Sequence, residues 1–185
     1  MKSTFFKLVI IILLFSSCNK DRIRILDDAA LGMTFEEYKI KFGEGYTFKT
    51  KYGNINGKLS PIFIYNHLTR LEIKLGTEYS SDSYYTLKEL FIEKYGTPDI
   101  TNETSPGEPK DSAKTSWSEN HSYHWTKGQL NIVYSYDVYH YYEEGVGVWF
   151  ETTSGNIIYS SDFNFENQFF ENHIDEIESE TKSKL

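Results

Sequence analysis

The stretch RLEIKL, residues 70–75, alternates charged and aliphatic side chains at every position. Because successive side chains of a β-strand point to opposite faces, Arg70, Glu72 and Lys74 fall on one face and the aliphatic side chains on the other. A strand with one buried and one solvated face is typical of an antiparallel sheet. The pattern therefore predicts an antiparallel sheet with a core on one side, entered here through a hairpin connection at 66–69.

Other segments repeat this pattern before and after residues 70–75. In the clearest of them Leu130, Ile132, Tyr134 and Tyr136 share one strand face. Aromatic and β-branched residues are the ones that suit a half-buried sheet surface. A long polar loop with two prolines is predicted at 99–116. The predicted strands are 46–52, 59–65, 70–75, 117–126, 129–136, 146–153 and 156–160.

Three segments show helical signals instead. In MTFEEYKIKFG, residues 33–43, Thr34 is a good N-cap and Glu37 completes a capping box. A second helix is predicted at 83–95, and a third at 164–178, where several side chains fall on one helical stripe. The stripe consists of Phe165, Phe169, His173, Ile174 and Ile177.

The order of these elements is helix, strands, helix, strands, helix. It predicts the α+β class, in which helices pack on one side of an antiparallel sheet. It also favours two tandem helix-then-β-meander units, at 30–76 and 82–160, with a C-terminal helix after them. Together they form a single α+β domain at 30–178, and a polar tail at 179–185 is expected to fray.

The long apolar run of the chain is LVIIILLF, residues 8–15, and it follows Lys2 and Lys7. Two serines and then Cys18, the single cysteine of the sequence, come directly after it. A membrane-spanning helix needs about 20 apolar residues, so this run is too short to cross a bilayer. The succession of basic, apolar and small residues predicts a secretory signal peptide at 1–17.

The stretch Phe15-Ser16-Ser17-Cys18 resembles the lipobox of bacterial lipoproteins. The resemblance implies that the chain is cut before Cys18, that its thiol carries a diacylglycerol group and that the new amino terminus is acylated. Residues 18–29 are then the lipidated cysteine and a short tether, and the membrane is a partner through the anchor. In lipoproteins of this kind an aspartate after the cysteine favours the inner membrane. Asn19 stands at that position, so the resemblance favours the outer membrane, with the domain facing the periplasm or the cell surface. An ordinary signal peptide followed by a free thiol is the alternative.

Composition limits the partners that we expect. Without the two lysines of residues 1–17, the chain carries 17 basic and 27 acidic residues, a net charge of −10. No basic stripe remains, so nucleic acid is not expected as a partner. Aromatic residues are abundant, with 15 Tyr, 13 Phe and 3 Trp, which suits a β-rich globular chain.

The sequence lacks the motifs of common active sites, since it contains neither H-E-x-x-H nor G-x-S-x-G. His121 and His124 are three positions apart on a predicted strand, so they point to opposite faces and cannot share a metal ion. We therefore expect no catalytic residue, no metal site and no cofactor. A pair of carboxylates of the glycosidase type stays open, because folding can bring any two together.

A tyrosine-rich segment is the best candidate for a binding surface. Five tyrosines lie between positions 134 and 142, and the acidic pair Glu143-Glu144 follows them. Tyrosine and tryptophan offer rigid contact area with a polar tip and are enriched at interfaces. The segment predicts a platform for a protein loop or for sugar rings. Its expected contact residues are Tyr139, Tyr141, Tyr142 and Trp149.

The segment LGMTFEE, residues 31–37, followed by Phe42-Gly43, resembles the opening of the small outer-membrane-assembly lipoproteins. It is also similar to the β-lactamase-inhibitor-protein-like group, which carries tandem units of this type. The resemblance implies a non-enzymatic protein-binding module, anchored by lipid in the cell envelope and contacting an envelope protein. The alternatives are a surface glycan-binding lipoprotein and an envelope hydrolase.

Overall fold

In the computed structural model, residues 22–26, 29–42, 45–51, 53–77, 79–104 and 116–183 are described. The predicted signal peptide at 1–17, the lipidation site Cys18 and the two prolines of the predicted loop lie outside the described residues. In the part of the chain that is described, no helix combines the length and the apolar character needed to cross a membrane.

The described chain forms two antiparallel sheets and several helices. The strands are β1 (Ile23–Leu26), β2 (Ala29–Leu31), β3 (Gly45–Thr50), β4 (Gly53–Ile64), β5 (His67–Leu75), β6 (Ile100–Thr104), β7 (Ser116–Lys127), β8 (Leu130–Glu143) and β9 (Val148–Ser161). The helices are α1 (Phe35–Lys41), α2 (Ser81–Tyr95), α3 (Phe163–Asn172) and α4 (Ile174–Ser183). Strands β1 and β2 pair with each other, and the large sheet has the order β3-β4-β5-β9-β8-β7-β6.

The alternation in residues 70–75 has the predicted effect. In β5, Leu71, Ile73 and Leu75 are buried, and Ile73 pairs with Ile157 of the neighbouring strand β9. The same face of β8 carries the buried residue Ile132. We call this the inner face of the sheet and the opposite one the outer face. The prediction of an antiparallel sheet with a core on one side is therefore confirmed.

Helix α2 lies against the inner face and explains the shape of the sheet. The ring of Phe91 stacks on Tyr134 of β8 at 5.4 Å between centroids and also contacts Phe48 of β3 at 6.4 Å. Strands β3 and β8 are separated in the sheet by three other strands. One side chain reaches both only if the sheet curves around the helix. Helix α2 therefore lies in the concave inner face, between β3 and β8.

Two predicted irregular segments are strands, so these predictions were wrong in part. The tether was expected to extend to residue 29, but Ile25 and Leu26 of β1 are buried in the core. The reason is that β1 pairs with β2, so this segment belongs to a two-stranded sheet and not to the tether. The loop predicted at 99–116 begins with strand β6, which pairs with β7. Because every residue of β6 is exposed, no hydrophobic alternation marked it in the sequence.

The C-terminal helical segment also differs from its prediction. The predicted single helix is interrupted at His173, which separates α3 from α4. Helix α4 continues to Ser183, beyond the predicted end at 178. Phe169 is buried against His67, with ring centroids 4.8 Å apart, whereas Ile174 is exposed. The single apolar stripe predicted across both helices is therefore interrupted, because the turn at His173 redirects the chain.

Candidate functional site

Strands β7, β8 and β9 extend beyond the rest of the sheet at one end. Strand β5 ends at Leu75, opposite Gly155 of β9. Strand β6 pairs with residues 120–124 of β7. The segments 116–119, 137–143 and 148–154 continue past these points as a three-stranded extension, which we call the arm.

The arm is held together by main-chain pairing, because the register of β8 continues without a shift to Tyr141 against β7 and to Glu143 against β9. Its tip is a turn at 144–147, where Val146 N–H and Gly147 N–H donate to the Glu143 carbonyl at 3.1 and 2.8 Å. Gly147 has φ +70°, a conformation that glycine adopts without strain. The turn fixes the register in which Tyr142 faces Trp149 across the two strands.

The four predicted contact residues all lie in the arm, but on both of its faces. Strand parity places Tyr142 and Trp149 on the inner face, which β8 shares with the buried Tyr134. The same parity places Tyr139 and Tyr141 on the outer face. The structure therefore brings the predicted residues together in two pairs rather than on one surface.

The outer face of the arm carries a stacked aromatic patch, which we call the outer patch. Tyr141 stacks between Tyr139, at 6.0 Å, and Phe150, at 5.6 Å between ring centroids. Tyr139 is 46% exposed and Phe150 37%, and the neighbouring Val148 is exposed too. Large apolar side chains that lie together and exposed on one face are a feature of interaction sites.

The inner face of the arm carries a second aromatic group, the indole cluster. Trp117 stacks on the imidazole of His140 at 4.3 Å and meets Trp149 edge-on at 4.9 Å. Tyr142 packs beside Trp149 at 5.3 Å. Trp149 itself is 43% exposed, so it belongs to the surface of the arm and not to the core.

A carboxylate between two imidazoles lies at the base of the indole cluster. Glu119 Oε1 is 3.3 Å from His140 Nε2, and Glu119 Oε2 is 3.6 Å from His121 Nε2. His121 is buried, and within the described chain neither of its ring nitrogens has a hydrogen-bond partner. The predicted separation of His121 and His124 is confirmed, because they pair with residues on opposite faces of β8. No group of three or more His, Cys, Asp or Glu side chains among the described residues is arranged to hold a metal ion.

The sequence did not indicate this group, for a physical reason. Glu119 and His140 are far apart along the chain, and only the β7–β8 register brings them together. A signal existed in the spacing of Glu119 and His121, which places both on one strand face. That signal is weak, because it does not say what the neighbouring strand contributes.

A polar network beside the arm fixes α2 to β6 and β7. The hydroxyl of Tyr123 donates a hydrogen bond to the Glu103 carboxylate, and Lys88 Nζ lies 3.8 Å from the same carboxylate. The hydrogen bond from Tyr123 holds the pKa of Glu103 below its usual range, assisted by Lys88. Burial, and then the bond to Glu103, raises the pKa of Tyr123. These directions favour a neutral Tyr123 hydroxyl as donor and an ionised Glu103 carboxylate as acceptor, which is the arrangement of the hydrogen bond between them.

Charge is distributed unevenly between the arm and the rest of the chain. No lysine or arginine occurs from Gly128 to Thr181, a range that contains β8, β9 and the turn between them. Acidic side chains do occur in the arm, so its local charge is negative at neutral pH. They are Glu119, Asp137, Glu143, Glu144 and Glu151.

In comparisons with known proteins, no family model, no curated protein and no solved structure matches this chain.

Proposed function

We propose that the protein is a non-enzymatic binding module of the bacterial cell envelope, held in the outer membrane by lipid at Cys18, and that it binds an envelope protein through its arm. The observation that carries the proposal is the exposure of aromatic side chains on both faces of the arm, toward its tip and beyond Val138, the last core residue of β8. Aromatic residues of this kind supply most of the binding energy of protein interfaces.

The position of the predicted anchor supports the same function. Strand β1 lies at the end of the sheet opposite to the arm, since Ile25 O accepts a hydrogen bond from Tyr95 at the C-terminus of α2. Strand β8 runs from that end to the tip at Glu143, a path of about 40 Å at roughly 3.3 Å per residue. A lipid at Cys18, four residues before Arg22, thus leaves the arm directed away from the membrane surface.

A duplicated layout relates the arm to the rest of the fold. Helix α1 is followed by the meander β3–β5, and α2 is followed by the meander β6–β9. We infer two tandem units with helices on one side of the sheet, as the order of elements in the sequence suggests. The second unit differs from the first by its long strands, which provide the arm.

Glycan binding is the second candidate, and the indole cluster favours it. Trp149 is exposed with the half-buried Tyr142 beside it, and the Glu119 carboxylate lies at the base of the same cluster. Indole and phenol rings stack on sugar rings, and a carboxylate binds their hydroxyls. This candidate depends on the inner face alone, whereas a protein interface would use the outer patch as well. The two candidates therefore predict different effects for substitutions on the two faces.

Single substitutions on the two faces of the arm test the proposal. Tyr141→Ala truncates the outer patch and Trp149→Ala the indole cluster, while Ile40→Ala removes an 84% exposed side chain from α1 as a matched control. Immobilised lipid-free domain is used to capture proteins from an envelope extract, and thermal melts are recorded in parallel. We expect a specific captured protein that is lost with both arm variants and retained by the Ile40 variant, while all three variants remain folded at the temperature of the capture.

Two results would count against this function. Capture that is retained by both arm variants would remove the arm from consideration. A glycan array on which the wild-type domain binds a defined glycan, with loss in Trp149→Ala and none in Tyr141→Ala, would replace protein binding with glycan binding.

A further inference from the structure

The arm has an edge strand whose main chain is unpaired on one side. Within the described chain, residues 148–154 of β9 pair with β8, and no strand pairs with them on the other side, because β5 ends at Leu75. Turn and loop hydrogen bonds of the described residues do not involve this segment either. Residues Val148 to Glu151 are exposed. We call residues 148–154 the open edge.

The open edge has few of the features by which proteins block unwanted strand pairing, and the one it has is the inward-pointing carboxylate of Glu151. Such edges are usually protected by lysine, by proline or by a bulge. The sequence VWFETTS contains no lysine and no proline, and its register with β8 continues without a bulge. An edge with this little protection is able to accept an additional strand along its exposed part, Val148 to Glu151, whereas Thr153 further along is fully buried.

A single charge occupies the middle of the open edge and is held in a fixed position. Oε1 of Glu151 accepts hydrogen bonds from the backbone N–H and the hydroxyl of Ser81, at 3.3 and 3.0 Å. Trp149 lies two residues earlier on the same face, so its exposed indole and this carboxylate lie side by side. An aromatic ring beside a carboxylate is a favourable site for a guanidinium or ammonium group.

The charge also argues against a second copy of this chain as the occupant. If two open edges paired antiparallel about their centre, Glu151 would lie directly opposite Glu151 of the other copy. Like charges in directly opposed positions destabilise strand pairing. From Gly128 to Thr181 the hairpin of β8 and β9 contains no lysine or arginine to relieve this repulsion, and the residue paired with Glu151 inside the hairpin is His140.

We propose that the open edge accepts an extended segment of the partner protein as an added β-strand, with an arginine or lysine of that segment opposite Glu151. This inference rests on the proposed function and specifies how the arm would perform it. Main-chain hydrogen bonds provide the pairing, and the carboxylate with the adjacent indole selects a basic segment over an acidic one.

Two synthetic nine-residue peptides test the inference, one alternating valine and arginine and the other alternating valine and glutamate. Binding to the wild-type domain is measured by calorimetry, and amide hydrogen exchange is followed across 148–154. We expect the arginine peptide to bind at least about tenfold more tightly than the glutamate peptide. We also expect it to slow exchange at alternate amides of the open edge, because only every second amide faces the added strand.

Two charge reversals provide the matched variants. Glu151→Lys should weaken binding of the arginine peptide and strengthen binding of the glutamate peptide. Glu144→Lys makes the same charge change in the turn and should alter neither dissociation constant by more than about twofold. Equal effects of the two variants, absence of amide protection in the peptide complex, or failure of both peptides to bind would each overturn strand addition. The proposed function itself fails on a different result, namely unchanged capture of the envelope protein by Tyr141→Ala and Trp149→Ala.

Discussion

Strand parity decides the role of each aromatic residue in β8. Tyr134 and Tyr136 point inward and are fully buried, and further along the same strand Tyr139 and Tyr141 point outward. This much could be predicted from the sequence, because a two-residue period is visible in the chain itself. How far the core extends along the strand could not be predicted, since it depends on where α2 and β5 end.

Two of the three tryptophans of the chain provide a direct test of that boundary. Trp125 is 1% exposed and donates from Nε1 to the Gly96 carbonyl at 2.7 Å, whereas Trp149 is 43% exposed. Trp125→Ala should lower the free energy of unfolding by about 3–5 kcal/mol. Trp149→Ala should lower it by about 1 kcal/mol, from lost ring contacts. Urea unfolding curves of both variants measure the difference, and equal losses would show that Trp149 belongs to the core.

Two glycines of β9 and its turn give a second prediction. A Cβ at Gly155 would overlap the Tyr84 ring and approach Leu75 Cδ1 at 3.1 Å, where α2 crosses the sheet. A Cβ at Gly145 would meet nothing within 4 Å. Gly155→Ala should therefore destabilise the fold by about 1–3 kcal/mol, and Gly145→Ala by a few tenths at most. Thermal melts of the two variants check this, and a tolerated Gly155→Ala would mean that α2 lies further from the sheet.

Elements were predictable where their signals are local. The capping box of α1 is present as predicted, with Glu37 N–H donating to Thr34 Oγ1 and Thr34 N–H donating to Glu37 Oε2. Strand β6 was missed, because its residues are exposed on both faces and its pairing with β7 is not encoded in a local pattern. Strand β1 was missed because it is short and follows a polar segment.

The capping box of α1 makes a prediction about pH. Burial alone would raise the pKa of Glu37, but hydrogen bonds from Thr34 and the neighbouring Arg22 outweigh it and leave this pKa below its usual value. A lowered folded-state pKa contributes stability that is present above the unfolded value of about 4.3 and is lost as pH falls through the folded value. Because glutamine can still complete the capping box and the Glu37 side chain is 40% exposed, Glu37→Gln should cost only about 0.5 kcal/mol at pH 7 and close to nothing at pH 2–3.

Unfolding by urea at several pH values measures this difference between wild type and Glu37→Gln. Glu36→Gln is a suitable control, because Glu36 is in the same first turn but makes only an exposed ion pair with Lys39 at 3.8 Å. A cost of Glu37→Gln that does not change with pH would contradict the role given to its charge.

At the scale of the whole molecule, the function that we propose separates attachment from recognition. The chain enters the fold through β1 at one end, and the aromatic, acidic arm lies at the other end. The sequence allowed the prediction of both parts, an anchor at Cys18 and a tyrosine-rich surface. The position of β1 at the end opposite to the arm could not be predicted, because it depends on how β1 packs against α2, and its partner β2 against β5, in three dimensions.

Lipidation can be tested apart from binding. In cells supplied with a labelled fatty acid, the wild-type protein should carry label and fractionate with membranes. Cys18→Ala should lose the label and leave the membrane fraction, because the acyl chains that provide stable anchoring are carried by Cys18 in this proposal. Label retained by the Cys18 variant would exclude Cys18 as the lipid attachment site.

The measurement that tests the central claim most directly is photo-crosslinking in intact cells. A photoreactive amino acid is placed at Tyr139, at Trp149 or, on the body of the protein, at Ile40, all of which are exposed. We predict that the two arm positions form a crosslink to the same envelope protein and that Ile40 forms none. Crosslinks from Ile40 with none from either arm position would contradict the account, because binding would then reside on the body and not on the arm.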